Sequence, residues 1–399
     1  MATELIRTEL TETDRAVLWA VNHARESTRA EIGRLVGVSK PTVGTSIAAL
    51  ENANLVSVVR SHQGSLGRAA AVYAISATAG WVLGVSVEAE AIWLAAVSLR
   101  GDLLLQTHQV IDGSDPAVVK HAIRAEVSEV QNRIGATAGN LCAVGVALER
   151  VIPRFLTQLS STRPGFINRF ELIDSLGLPP EIPVLVENAT NCAAIAELEL
   201  GAADVDDFVY LHVGAKIGAG IVTGRRVLRG ANGGAGEISF LPVSVLSAEK
   251  PPHHDLERYL GSVEVLARVT RTWTMADGTP PASIDELFSR AEDGHRGALA
   301  GLVNEAEGIA RAALAIAAVV DPALIVLDGD IGRRALIVHS VQDVVAEERE
   351  GLGVLSVQVG SLGEAATVTG AAAIAHDHAI ASLVGQRYER NLHQGVVQL

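Results

Sequence analysis

The sequence predicts an α/β protein in two parts: a small amino-terminal module of three helices and two strands, and a large body of two α/β lobes. Three observations lead there. Apolar residues recur at helical spacing three times before residue 52 and then give way to short strand-like runs. Residues 81–105 and 207–230 each read as an apolar strand, a small-residue turn, a second strand and a further turn, a weak internal repeat of hairpins. Charge is also divided: the chain carries -14 overall, yet residues 25–70 hold Arg25, Arg29, Arg34, Lys40, Arg60 and Arg68 against Glu26, Glu31 and Glu51, a net of +3. A basic island on an acidic body suits a local nucleic-acid contact and argues against the whole body lying along DNA.

The chain of 399 residues, 48% of them apolar, has material for two or three packed domains. The longest membrane-like window, Ile309 to Val320, contains Arg311 and stops at Asp321, so no membrane span is expected. The opening MATELIRTEL lacks the charged start, apolar run and cleavage site of a secretory signal, which makes the cytoplasm the expected location. Cys142 and Cys192 each sit in an apolar segment; buried free thiols are expected, and two such distant cysteines build no zinc site.

In the amino-terminal module, Asp14 to Ala24 places Val17, Leu18, Val21 and Ala24 on one stripe facing inward. Thr28 with Glu31 has the spacing of a capping box opening a second helix through Val36, from which Ile32 and Leu35 meet the first. Gly37 permits a sharp turn. Ser39 caps a third helix and Pro41 sits in its first turn, where backbone donors lack partners anyway. Val43, Ile47 and Leu50 share its inner face, which leaves Lys40, Pro41, Thr42 and Thr45 on the side a recognition helix presents to the major groove. Val56–Arg60 and Ala70–Ile75 then read as strands around the loop SHQGSLGR, a wing in which Gly67 turns the chain and Arg68 is placed to enter a minor groove. This is the pattern of a winged helix-turn-helix, and VSKPTVGTSIAALENANLV resembles the recognition segment of bacterial winged-helix regulators. The expected partner is a double-stranded DNA operator; a three-helix protein-interaction domain is the alternative.

From Trp81 onward, ordered motifs carry a second resemblance. WVLGVSVEAEAIWLAAVSLRGDLL looks like an opening hairpin, IPVLVENATNCAAIAE like a catalytic strand and helix, and YLHVGAKIGAGIVTGRRVLRGANGGAGEISFLPV like a second phosphate hairpin with its sugar loop. DPALIVLDGDIGRRA and SLGEAATVTGAAAIA look like an adenosine strand and a closing helix. Together they resemble the ROK family of repressors, open reading frames and kinases over most of the chain. The resemblance implies the two-lobed, ribonuclease H-like fold of actin-like ATPases; an ordinary doubly wound domain is the alternative. The expected boundaries are a winged helix at 1–78 and the family domain at 79–399. Lobe one would run over 79–198 with a C-terminal helix at 364–385, and lobe two over 199–363.

The family's kinase chemistry fits this sequence poorly. Phosphoryl transfer to a hydroxyl needs a base near the acceptor and backbone amides close to the phosphates. The family's first hairpin turn reads Asp-x-Gly-Gly-Thr; here it is Ser86, Val87, Glu88, Ala89, Glu90. Each like-charge contact between such a glutamate and a phosphate at about 4 Å costs on the order of 4 kcal/mol at an effective dielectric near 20. The second hairpin's Gly-Thr-Gly becomes Gly214, Ala215, Lys216, and the adenosine strand's glycine run becomes Asp328, Gly329, Asp330, adding bulk and negative charge. The family's catalytic Asp falls at Ala189, which accepts no proton; losing a general base costs a factor of about 100 to 10,000. The family's zinc motif is absent too, because SAEKPPHHDLERYL has no Cys and His253 and His254 are adjacent. No catalytic residue, metal or cofactor is expected.

A partial sugar pocket remains. By resemblance, Asn188, Glu237 and Glu257 match positions that hydrogen-bond sugar hydroxyls, beside a glycine loop at Gly230 to Gly234, whereas Ala189 and Phe240 remove polar contacts and Phe240 fills part of the space. The expected function is a DNA-binding transcriptional repressor whose catalytically inactive domain dimerises it and senses a sugar or sugar derivative. The alternatives are a sugar kinase with an appended DNA-binding module, and a ligand-independent dimeric scaffold.

Overall fold

The computed structural model describes residues 10–62, 70–88, 90–113, 115–152, 174–241, 255–349, 353–385 and 397–398. The chain divides into two units, Met1–Ala189 with Val368–Leu399, and Thr190–Thr367.

Local sequence sets the amino-terminal helices. The first, α1 (Glu12–Ala24), starts two residues before the expected Asp14, because Thr11 and Asp14 form a reciprocal capping box. A short strand β1 (Ser27–Thr28), which the sequence did not suggest, precedes α2 (Arg29–Val36). The expected box at Thr28 and Glu31 opens α2, and Gly37 closes it in a left-handed conformation, φ 77. Ser39 caps α3 (Lys40–Asn52). The strands β2 (Val56–His62) and β3 (Ala70–Ile75) pair antiparallel, and β1 adds to the far side of β3. Val17, Leu18, Val21, Ile32, Val43, Ile47 and Leu50 form the core between the helices, each at or below 1% exposure; such a burial stabilises by about 1.5–3 kcal/mol. Two expected core members differ. Ala24 is exposed because α1 ends there, with Arg25 turning the chain away at φ 62. Leu35 is 47% exposed because α2 lasts two turns and offers the core the face of Ile32 alone.

The rest of the first unit is a six-stranded mixed sheet. Strands β4 (Trp81–Val87), β5 (Ala91–Ser98) and β6 (Leu103–Val110) form an antiparallel meander. After α4 (Pro116–Ile134), β7 (Leu141–Leu148) and β8 (Val184–Asn188) add in parallel beside β4. The meander excludes an ordinary doubly wound sheet.

In the second unit α5 (Ala189–Glu199) leads to β9 (Phe208–Val213), which makes a hairpin with β10 (Ile217–Thr223) extended by β11 (Arg226–Val227). The helices α6 (Asp255–Leu260), α7 (Ser262–Thr272), α8 (Ile284–Glu292) and α9 (Arg296–Val320) follow. Then β12 (Leu324–Asp328) lies parallel to β9, a one-turn α10 (Gly329–Gly332) and α11 (Ala335–Glu348) succeed it, and β13 (Ser356–Val359) completes the five-stranded sheet. The core joins Leu211, Leu302, Ile309, Leu327 and Val341.

The last long helix, α12 (Ala366–Val384), returns to the first unit, where β14 (Val397–Gln398) edges β8. Gly84 and Gly145 sit opposite each other in register on β4 and β7. A Cβ on Gly84 would lie 2.5 Å from the Val368 carbonyl oxygen, and one on Gly145 would lie 1.9 Å from that of Ala371. Only glycine lets α12 approach the sheet so closely. Neither cysteine is in a disulfide; Cys192 is buried as expected and Cys142 half-buried. Among the described residues no helix is long and apolar enough to cross a membrane.

Candidate nucleic-acid face and effector site

The amino-terminal turn of α3 is open to solvent. Ser39, Lys40, Pro41, Thr42 and Thr45 are all exposed. Their hydroxyls are held locally: the Ser39 hydroxyl lies 2.8 Å from that of Thr42, and Thr45 Oγ1 donates to the Pro41 carbonyl at 3.3 Å. The surface therefore presents short, pre-positioned groups and one lysine at a helix N-terminus, whose partial positive charge favours phosphate. The structure refines the basic island. Arg60 is engaged with Glu26 at 2.7 Å, and Arg25 donates to the Arg100 carbonyl. Arg29, which sequence reasoning counted without assigning a role, stacks its guanidinium over Tyr73 at 5.3 Å and lies 3.8 Å from where a Cβ on Gly44 would be. It thus adds an exposed cation beside α3. Arg68 and Gly67 lie outside the described residues, as do His253 and His254.

Both hairpin turns that the resemblance sets at the family's phosphate-binding positions are committed to internal hydrogen bonds. In the β4–β5 turn the Glu88 amide donates to the Ala91 carbonyl at 2.9 Å. The Ser86 hydroxyl donates to the Glu88 carboxylate at 3.2 Å, drawing that side chain back onto its own strand, while Glu90 stays exposed. In the β9–β10 turn the Gly214 amide donates to the Lys216 carbonyl at 3.0 Å, and the Gly214 carbonyl accepts from Ser262, the first residue of α7, at 2.9 Å. Asp328 departs from expectation. Instead of crowding a ligand, it is 2% exposed, accepts from Tyr210 Oη at 3.2 Å and from the Gly329 amide at 2.8 Å, and lies 3.9 Å from Arg333. Burial, then the Asp328 charge, pushes the Tyr210 hydroxyl well above its ordinary range. Asp330 is the exposed carboxylate of that segment. Ala189 is the first residue of α5 and is partly accessible. Its methyl has no lone pair for a proton.

Two of the three candidate effector residues come together. Glu237 follows the glycine loop; a Cβ on Gly236 would lie 1.9 Å from the Ala219 carbonyl oxygen, so the loop closes tightly on β10. Burial, then the Glu257 charge, raises the Glu237 carboxyl above the ordinary carboxylate range. Glu257 on α6 accepts from the Ile217 amide at 3.3 Å. The pair thus sets two carboxyls close enough for the charge of one to act on the other, paired acceptors that suit adjacent hydroxyls. Asn188 stands in the first unit at the end of β8, where its side-chain amide donates to the Arg150 carbonyl at 3.1 Å. Phe240, expected to fill part of the pocket, remains 47% exposed.

Supporting residues were not visible in the sequence. Glu197, which closes the ENATNCAAIAE stretch, is wholly buried and accepts from the Ala202 and Leu362 amides at 2.7 and 3.0 Å. Arg268 donates to the Tyr259 carbonyl at 2.5 Å and so holds the end of α6, the helix that carries Glu257. No local signal marks either residue, because their partners lie far along the chain.

The model of the ROK family matches residues 82–378. The xylose repressor of Bacillus spizizenii is 23% identical over 216 residues, 54% of this chain and 56% of that protein. The beta-glucoside kinase of Listeria monocytogenes is 27% identical over 254 residues, 61% of this chain and 80% of that enzyme. The chain thus spans a little over half the length of the first of these curated relatives. The crystal structure of a ROK family transcriptional regulator, a homolog of the E. coli MLC protein, superposes with a TM-score of 0.72 at 20% identity, covering 94% of this chain and 98% of that one. At that identity the likeness shows the fold.

Proposed function

Because this chain belongs to the ROK family, we propose that it is a DNA-binding transcriptional repressor whose kinase-like domain has lost phosphoryl transfer, holds the protein as a homodimer in the cytoplasm, and senses a sugar or sugar derivative. One observation carries the reading: a capped helix with an exposed Ser39–Thr45 face stands on the same chain as a family domain that has an alanine, Ala189, where the resemblance puts the base. Ser39, Lys40, Pro41, Thr42 and Thr45 would meet the major groove, and Arg68 of the wing the minor groove. Asn188, Glu237 and Glu257 would hold the effector. Boundaries at 1–78 and 79–399 would separate the two roles. Similarity to proteins named xylose repressors supports the assignment, as does the regulator whose fold matches 94% of the chain. An effector would act by favouring one arrangement of the dimer and so changing the spacing of its two winged helices.

Footprinting of the purified chain on genomic DNA tests the proposal. Protection of paired, two-fold related half-sites is expected, and failure to protect any defined duplex would overturn it. Beta-glucoside kinase among the relatives keeps a second reading in view, a kinase with an appended DNA-binding module; phosphoryl transfer from ATP to any member of a hexose panel would establish it.

A further inference from the structure

Two arginines, Arg15 of α1 and Arg25 just past its end, reach backbone carbonyls outside the amino-terminal module. Arg15 Nη1 donates to the Leu383 carbonyl at 2.9 Å, in the last turn of α12, and the aliphatic stem of Arg15 passes 3.8 Å from where a Cβ on Gly385 would be. Arg25 Nη1 donates to the Arg100 carbonyl at 2.8 Å in the β5–β6 turn. At the neighbouring Gly101 a Cβ would fall 2.2 Å from the same Arg25 nitrogen, so any side chain there would displace the guanidinium.

Both acceptors are suited to a cation. The last carbonyls of a helix have no partner within it and carry its negative dipole end, so Arg15 satisfies and complements α12 at once. The connector is held as well: Asn54 Nδ2 donates to the Thr78 carbonyl at 2.9 Å while Asn54 Oδ1 accepts from the hydroxyls of Ser76 and Thr78 at 3.2 and 3.0 Å. The two arginine contacts, together with the chain connection that Asn54 steadies, fix an orientation, where one alone would leave a pivot.

We propose that Arg15 and Arg25 are positioning residues that fasten the amino-terminal module to α12 and the β5–β6 turn, so that the attitude of α3 follows the C-terminal helix. The consequence for gene control rests on the repressor reading above; the fastening itself does not. The chain re-enters the first unit at Val368, in the first turn of α12, and Arg15 grips the same helix at its far end. One helix, α12, thus runs through the first unit to the module that would meet DNA.

The test is a distance measurement on the full chain without DNA. Nitroxides are attached through a genetically encoded keto amino acid at the exposed positions Ala48 of α3 and Glu129 of α4, leaving Cys142 and Cys192 untouched. Double electron–electron resonance should give one narrow distribution for the parent. In the Arg15→Ala, Arg25→Ala double variant it should broaden about two-fold or more. Lysine at both positions keeps a cation and a donor and should restore most of the width, a rescue that also serves if the alanine variant folds poorly. A distribution as narrow in the double variant as in the parent would overturn the fastening and leave DNA binding untouched. Loss of duplex binding in Lys40→Ala concerns the repressor reading alone.

Discussion

Arg268 donates from Nη2 to Glu305 at 2.6 Å, and Glu305 is wholly buried on α9 with its second oxygen unpartnered. Burial pushes its carboxyl up to about 8, against the pull of Arg268. A folded-state value above the unfolded one means that its contribution to stability is complete below about 4.5 and is lost as pH rises through about 8. Thermal unfolding should therefore show Glu305→Gln gaining on the parent as pH rises from 5 to about 9, with little difference at the acid end. Arg268→Ala should destabilise by about 2–3 kcal/mol at pH 8, below the cost of a fully buried pair because Arg268 keeps part of its surface in water. A flat difference between parent and Gln variant across this range would refute the assignment.

Lys40 and Arg68 should weaken operator binding in distinguishable ways. Lys40→Ala removes the proposed phosphate partner, so affinity should fall uniformly across duplex sequences and the salt slope should drop by about 1. Arg68→Ala should cost roughly 1 to 3 kcal/mol on the operator and less on random duplex. Mobility-shift titrations at several salt concentrations check both, and unchanged operator affinity for Arg68→Ala would remove the wing from the interface.

Restoring the base alone should not restore a kinase. Ala189→Asp supplies a carboxylate at the family's position, yet the amides of Glu88 and Gly214 stay committed to Ala91 and Lys216. A coupled assay with ATP and hexoses should show no turnover above the parent. Activity in this single variant would mean that those turns open for a nucleotide.

Glu257→Gln separates burial from charge at the candidate effector site. The amide oxygen keeps an acceptor for the Ile217 amide while removing the charge that helps to raise Glu237. Because a raised carboxyl contributes stability that is lost as pH climbs past its folded value, the variant should lose less stability above the ordinary range of about 4.5 than the parent does. Differential scanning fluorimetry between pH 4 and about 8 reads this directly, and identical slopes would show that Glu257 does not act on Glu237.

The sequence by itself determined the elements whose signals are local. Thr28 with Glu31 and Ser39 with Thr42 are hydrogen-bonded partners three residues apart, so their spacing alone announced two helix starts. Hairpin periodicity announced β4–β5 and β9–β10, and the alanine at position 189, where the resemblance places a base, needed no coordinates. The fate of individual side chains depended on distance along the chain. Leu35 has helical spacing but stays 47% exposed near the end of a two-turn helix, and Asp328 looks like an obstruction until Tyr210 and Arg333 are seen around it. Arg15 meets a carbonyl 368 residues away, and Glu197 one segment 165 residues on. Such contacts exist only once the sheets and α12 have brought remote segments together, because no short window of sequence encodes the closure of so long a loop.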